Sequence, residues 1–331
     1  MNIVFSILPV MIFLAFLFLL DSFKLVRFTT LILCLSWGAL CTAAAYALNT
    51  LAADWLEINF DFLSRYVAPV VEETLKGSFI LFLVSRKKVG FMIDAAIYGF
   101  AVGAGFSLVE NLYYILTIQQ DYNLLIWIIR GFGTAIMQGG CTAILAILLF
   151  AGINRSQNAA LALIPGLITA ILLHSGFNHL LAYPLLLTIF IVVFMPVVFL
   201  LIVSRSKDRL QQWLEIEFNS EVELLGMIQK GNFRSTKAGE YLVFVKTRFA
   251  PETVVDMYCY IALYLELSIK AKRNVMLREN GFPVIIEPDL QEKMKELGLL
   301  RKQIGKVGEL ALSPLIRMNY RSLWKINQLK G

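Results

Sequence analysis

The sequence predicts an all-α fold: a polytopic transmembrane bundle of about seven spans, followed by a small helical cytoplasmic domain. Three observations carry this expectation. Of 331 residues, 58% are hydrophobic and 16% charged, with mean hydropathy +0.69, a composition that belongs to membrane proteins and not to soluble domains. The apolar residues gather in seven runs, roughly 3–20, 28–53, 66–84, 89–118, 124–152, 159–183 and 185–204, most of them long enough to cross a bilayer. The charge balance then changes. Residues 1–204 carry nine Lys/Arg against nine Asp/Glu, whereas residues 205–331 carry twenty-one against fifteen. We therefore divide the chain into a membrane-embedded domain, 1–204, and a basic helical domain, 205–331.

The first run, Ile3 to Leu20, lacks a positive n-region and a small-residue cleavage site before Asp21, and reads as a retained span. Basic residues lie in alternate linkers: Lys24 and Arg27, then Arg86-Lys87-Lys88, then Arg155, then Arg205, Lys207 and Arg209. The intervening linkers hold Arg65 beside Asp54, Glu57 and Asp61, then Asp121 alone, then nothing basic. The positive-inside rule places the basic linkers in the cytoplasm, so the N-terminus lies outside and the tail inside, which needs an odd number of spans. In the fourth run Gly99, Ala101, Gly103 and Gly105 are small-residue signals for close helix packing. Asp94, near its inner end, reads as structural. Cys34, Cys41, Cys141 and Cys259 have no metal-ligand spacing and read as free thiols. In the tail, helices are expected over Asp208–Gln229, from Pro251 to a stop at Asn280-Gly281, from Asp289 to about Gln303, and shortly before Gly331. The excess of basic residues suits an anionic inner leaflet, and no nucleic-acid partner is expected.

The third run is the informative one, because it sets Glu72, Glu73 and Lys76 in a span. Each charge near a helix centre costs roughly 2.5–3.5 kcal/mol, against about 0.3–0.6 returned by each Leu, Ile, Val or Phe. Such a helix is stable only where neighbouring helices solvate its charges. Candidate neighbours are Glu110 and Asn111 in the fourth run, Arg130 and Gln138 in the fifth, and His174 and Asn178 in the sixth. At about 1.5 Å per residue, Glu72 lies roughly 10 Å in from the outer side, Glu110 roughly 16 Å and His174 roughly 15 Å. Arg130 falls in the same layer and Gln138 deeper. Glu72 and Lys76 are four residues apart and share a face, so that pair is expected to join, leaving Glu73 about 100° away and free to take a proton from water. Phe106 and Glu110, like His174 and Asn178, should project together. A cluster of carboxylates and an imidazole suits general-base chemistry, and it also suits a structural ion-pair cluster or an ion pathway.

At these residues the chain resembles the PrsW family of glutamic-type intramembrane proteases, related to the CPBP/CAAX-prenyl protease group. The matches are Glu72-Glu73-x-x-Lys76, then Phe106-x-x-x-Glu110 with Asn111, then His174-x-x-x-Asn178, in family order over roughly residues 60–185. The resemblance implies an endopeptidase of the bacterial plasma membrane that cuts a membrane-spanning or membrane-anchored protein. Its catalytic residues would be Glu72, Glu73, Glu110, His174 and Asn178, supported by Lys76, Phe106, Asn111, Arg130 and Gln138. Glu72 or Glu73 would activate water, and His174, Asn178 and Gln138 would stabilise the oxyanion. Glu110 would orient the water or protonate the leaving amine. One position departs: where the family pattern calls for a histidine, this chain has Gln138. No cofactor is expected in the glutamic form. The alternative is zinc, on Glu72 or Glu73 with Glu110 and His174. Because glutamine does not titrate, a non-catalytic pseudoprotease or membrane scaffold of the same fold is the second reading.

Overall fold

The computed structural model describes residues 2–21, 24–117, 124–156, 158–180, 183–284 and 287–316; of the residues within helices, side chains 2, 3, 154–156 and 207–217 are excepted. Asp121 and the helix expected before Gly331 lie outside the described residues, as do the side chains of Arg155, Lys207 and Arg209. There is no strand among the described residues. The chain divides into two compact units, 1–207 and 208–331.

Seven long helices coincide with the seven apolar runs: α1 (Asn2–Leu19), α2 (Phe28–Leu56), α3 (Ala68–Ser85), α4 (Met92–Thr117), α5 (Ala135–Ser156), α6 (Ala159–His179) and α7 (Pro184–Gln229). Among the described residues, five apolar stretches are long and apolar enough to cross a membrane: Phe28–Leu56, Met92–Thr117, Leu124–Ile153, Ala159–His179 and Pro184–Ser206. The apolar part of α1, Val4–Leu19, is shorter, and α3 carries the three charges that lower its hydropathy. This is a polytopic helical bundle. Large apolar side chains such as Leu40, Leu172, Leu186 and Val193 stand exposed on its outside, as expected of surfaces that meet lipid.

At the centre is α4, whose apolar window is 83% buried, against 28% for α2 and α6. Its small residues explain how it comes to be enclosed. A methyl group at Gly103 would lie 2.2 Å from the carbonyl oxygen of Gln138 on α5, and one at Gly105 would lie 2.1 Å from that of Leu35 on α2. Only glycine lets backbones approach this closely, so α4 packs against α5 on one side and α2 on the other. Asp94 begins the helix structurally: its two oxygens accept the backbone N–H groups of Gly90 (2.6 Å) and Phe91 (2.7 Å).

Two turns of π-helix interrupt the bundle, Leu63–Val67 directly before α3 and Ile129–Thr134 directly before α5. Each sits beside the polar residues described below. In the second unit, α8 (Lys237–Val245), α9 (Pro251–Glu279) and α10 (Leu290–Leu312) close a core of Ile228, Phe233, Leu242, Met257, Tyr260, Ile261, Leu297 and Ile304. Helix α9 starts at Pro251 and stops before Gly281, whose φ of +74° suits glycine. The sequence expectation is corrected at two points. Residues 208–229 are not a separate helix but the end of α7, and α8 was not anticipated. Cys34, Cys41, Cys141 and Cys259 are free thiols.

Candidate functional site

The polar residues of the bundle gather into two adjoining groups. The first is built on α3, α5 and α6. Glu73 is wholly buried, and its Oε1 accepts hydrogen bonds from Lys76 Nζ at 2.6 Å and lies 2.9 Å from His174 Nδ1. Lys76, also wholly buried, donates again to Gln138 Oε1 at 2.5 Å. The Gln138 amide in turn points Nε2 at Glu72 Oε2, 3.3 Å away, and His174 Nε2 lies 3.9 Å from that same oxygen. The ring of Phe106 lies under the Lys76 ammonium, 4.8 Å from its centroid, an arrangement that stabilises a cation away from water. Thr142 Oγ1 stands 3.5 Å from the second oxygen of Glu73 and bonds back to the Gln138 carbonyl.

This geometry reverses one expectation. Lys76 pairs with Glu73, three residues away, and not with Glu72, four away. Both spacings put side chains on adjacent faces of a helix, and the choice falls to tertiary structure. Glu73 points at His174 and Gln138, where Lys76 finds a second acceptor, while Glu72 points to the less enclosed side. The side chain of Glu72 keeps 14% exposure against zero for Glu73. Gln138, expected to lie deeper, meets the carboxylates because the long side chains of Lys76 and Gln138 span the intervening turn.

The second group is built on α1, α4 and the π turn before α5. Arg130 Nη2 lies 3.3 Å from Glu110 Oε1, its Nε donates to Asn111 Oδ1 at 3.0 Å, and its guanidinium stacks 3.7 Å from the Tyr114 ring centroid. Asn111 Nδ2 donates to the Ser6 carbonyl at 2.9 Å. Glu110 Oε2 is buried and has no hydrogen-bond partner among the described residues. Glu110 is thus turned to Arg130 and not to His174.

Asn178 belongs to neither group. Its Nδ2 donates to the Ser64 carbonyl at 2.8 Å, and Ser175 Oγ donates to the Arg65 carbonyl at 2.6 Å. Both carbonyls lie in the π turn before α3, where wider winding disturbs the regular ladder, and α6 satisfies them. Asn178 therefore holds the turn that sets the rotation of Glu72 and Glu73. His179 faces outward and bonds the Ser175 carbonyl and the Tyr66 hydroxyl. The sequence reading passed over Thr142 and Tyr114. Thr142 had a signal, since it stands four residues from Gln138 on the same face of α5.

The family model described as PrsW family intramembrane metalloprotease matches residues 27–202. No curated protein and no solved structure matches the chain. That description names a metal, and the donor set tests it. A catalytic zinc takes three protein ligands at about 2.0–2.2 Å and keeps a water. Among the described residues no three His, Cys, Asp or Glu side chains converge in that way. Glu72 Oε2 and His174 Nε2 face each other, but the next group at that oxygen is the Gln138 amide nitrogen, a hydrogen-bond donor. Glu73 already carries the Lys76 ammonium, against which a dication would be repelled, and Glu110 is turned to Arg130. Two ligands are offered where three are needed, so these residues do not fit a catalytic zinc.

Proposed function

The chain belongs to the PrsW family of intramembrane proteases, and from that premise we propose that it hydrolyses a peptide bond in a membrane-spanning or membrane-anchored protein, with Glu72 as the general base. One observation carries the reading: Glu73 is fully engaged, while Glu72 has a single 3.3 Å hydrogen bond among the described residues and its side chain stays partly exposed. A base must keep a free lone pair, and Glu72 Oε2, with that one contact, keeps one.

The 3.9 Å between Glu72 Oε2 and His174 Nε2 is too long for a hydrogen bond. It is the separation that a single water, at about 2.8 Å from each, can bridge. Glu72 takes a proton from that water as its oxygen attacks the scissile carbonyl carbon. The carbonyl π electrons move to oxygen, and the Gln138 amide, which has a second N–H to offer, stabilises the negative charge. One such donor is typically worth about 2.7–4 kcal/mol. When the C–N bond breaks, the proton held by Glu72 passes to the departing amine. Glu73 and Lys76 are positioning residues: the carboxylate fixes His174 through Nδ1, leaving Nε2 for the water, and the ammonium fixes the Gln138 amide.

The basic linkers support an N-terminus outside and the second unit in the cytoplasm, and the family resemblance supports a bacterial plasma membrane. The test compares membrane-protein fragments in cells carrying the intact chain or Glu72→Gln. Fragments that disappear with Glu72→Gln support it. An unchanged fragment pattern, with the variant folded and inserted, removes Glu72 from the chemistry.

A further inference from the structure

The second unit carries a surface whose composition is unusual for a solvated domain. Helix α8 buries Gly239, Leu242 and Val245 in the core, yet its other side presents Val243 at 48% and Phe244 at 62% exposure. Beside them, a shallow pocket of about 160 Å³ is lined by Phe233, Leu242, Val243, Val254 and Tyr258, with the cations Arg234 and Lys246 at its edge. That volume is well short of the roughly 300 Å³ at which small-molecule sites begin, so the pocket does not suit a cofactor. The surrounding chain is basic: residues 230–258 hold Lys230, Arg234, Lys237, Lys246 and Arg248, all exposed, against the carboxylates Glu240, Glu252 and Asp256. None of the five cations has an ion-pair partner among the described residues. The contrast lies in the same unit, where Lys270, Arg273 and Lys293 are tied to Glu266, Glu287 and Asp289.

An exposed aromatic and an exposed valine beside unpaired cations match the chemistry of a negatively charged bilayer surface. The apolar side chains enter the acyl boundary and the cations stay among the headgroups. We propose that this face, built on α8 and the start of α9, is a docking surface for anionic lipid. A protein partner would be matched by a flatter, less charged apolar patch.

The test uses the full chain in nanodiscs of phosphatidylcholine alone or of phosphatidylcholine with phosphatidylglycerol, read by hydrogen exchange. Each cation near an anionic surface contributes about a fivefold change in binding, so amides of Lys237–Val245 should slow by about tenfold or more when phosphatidylglycerol is present. Half-molar salt should erase much of that protection. Arg234→Glu with Lys246→Glu should abolish it, Phe244→Ser should weaken it, and Glu240→Lys should strengthen it. Unchanged exchange in the Met257–Leu267 stretch of α9 shows that each variant keeps its fold. Equal exchange in the two lipids overturns the proposal, as does protection that survives the double reversal or that needs an added protein.

Discussion

Replacing Lys76 by methionine tests the arrangement at its most loaded point. The ammonium is wholly buried, donates to Glu73 and to Gln138, and sits 4.8 Å from the Phe106 ring centroid. Methionine matches the length of the stem and keeps its packing, so the loss is electrostatic. Glu73 is left as a buried carboxylate facing only His174 and Thr142, and the Gln138 carbonyl loses its donor. Removing one partner of a buried pair costs about 3–5 kcal/mol, of which two charge-assisted hydrogen bonds at about 1.5–3 kcal/mol each account for most. Adding Glu73→Gln removes the uncompensated charge while keeping an acceptor for His174. The double variant should therefore be more stable than Lys76→Met alone, with a coupling of about 2–3 kcal/mol. Equilibrium unfolding in mixed micelles measures all four corners of the cycle. A loss below about 1 kcal/mol for Lys76→Met, or simple additivity, would refute the claim that this ammonium neutralises Glu73.

Four further outcomes follow from particular residues. Gly103→Ala forces a methyl group to within 2.2 Å of the Gln138 carbonyl, so it should cost about 2 kcal/mol or more and displace the Gln138 backbone. Gly176→Ala meets nothing within 4 Å and should leave melting unchanged or slightly raised, by up to about 1 kcal/mol. Treatment with a chelator should leave proteolysis intact, and metal analysis of the purified protein should find less than one equivalent; stoichiometric zinc whose removal stops turnover would contradict the donor-set argument. In the second unit, hydrogen bonds from Lys270 and Lys293 hold the Glu266 carboxyl below its ordinary range, and Lys270 and Arg273 do the same for Glu287. These carboxylates bind protons less readily when folded. Their contribution is therefore fully present above the ordinary carboxylate range and is lost as the pH falls through their lower folded values. Susceptibility of α9 and α10 to an acid-active protease should rise across that window.

The bundle was legible because its signals are local. Seven apolar runs became seven helices, and the small residues of α4 announced the close approaches that the Gln138 and Leu35 carbonyls make. The convergence of Glu72, Glu73 and His174 could be read from depth alone. Which carboxylate takes the ammonium could not, because the two spacings differ by only one residue and the position of His174 on another helix decides. The π turns were equally hidden: neither Leu63–Val67 nor Ile129–Thr134 contains a proline, and an extra residue in a turn leaves no compositional trace. The hydrogen-bond partner of Asn178 was hidden for the same reason, since it is a carbonyl in one of those turns. The end of the basic tail's first helix misled in a simpler way. The charge pattern changes near residue 205, yet between Pro196 and Gly226 there is neither glycine nor proline to stop α7.

Gln138 is the residue on which activity and decay divide, and its hydrogen bonds favour adaptation. A neutral imidazole at this position would offer one lone pair and one N–H. The amide offers the same two functions in use, accepting from Lys76 and donating toward Glu72. What glutamine discards is titration. An imidazolium has no lone pair, so once protonated it could no longer accept from Lys76, and a second cation would sit beside the first. Gln138→His should therefore keep turnover at neutral and alkaline pH and add a second acid limb to the one that the native carboxylate base imposes, as the pH falls into the ordinary range of an imidazole. Gln138→Leu removes both hydrogen bonds and should lose turnover by about 10²-fold or more at every pH. Rate profiles of the two variants separate the alternatives. If Gln138→His raises turnover above the native level across the whole range, the glutamine is a scar of lost function; a second acid limb on unraised turnover means that glutamine is the working residue.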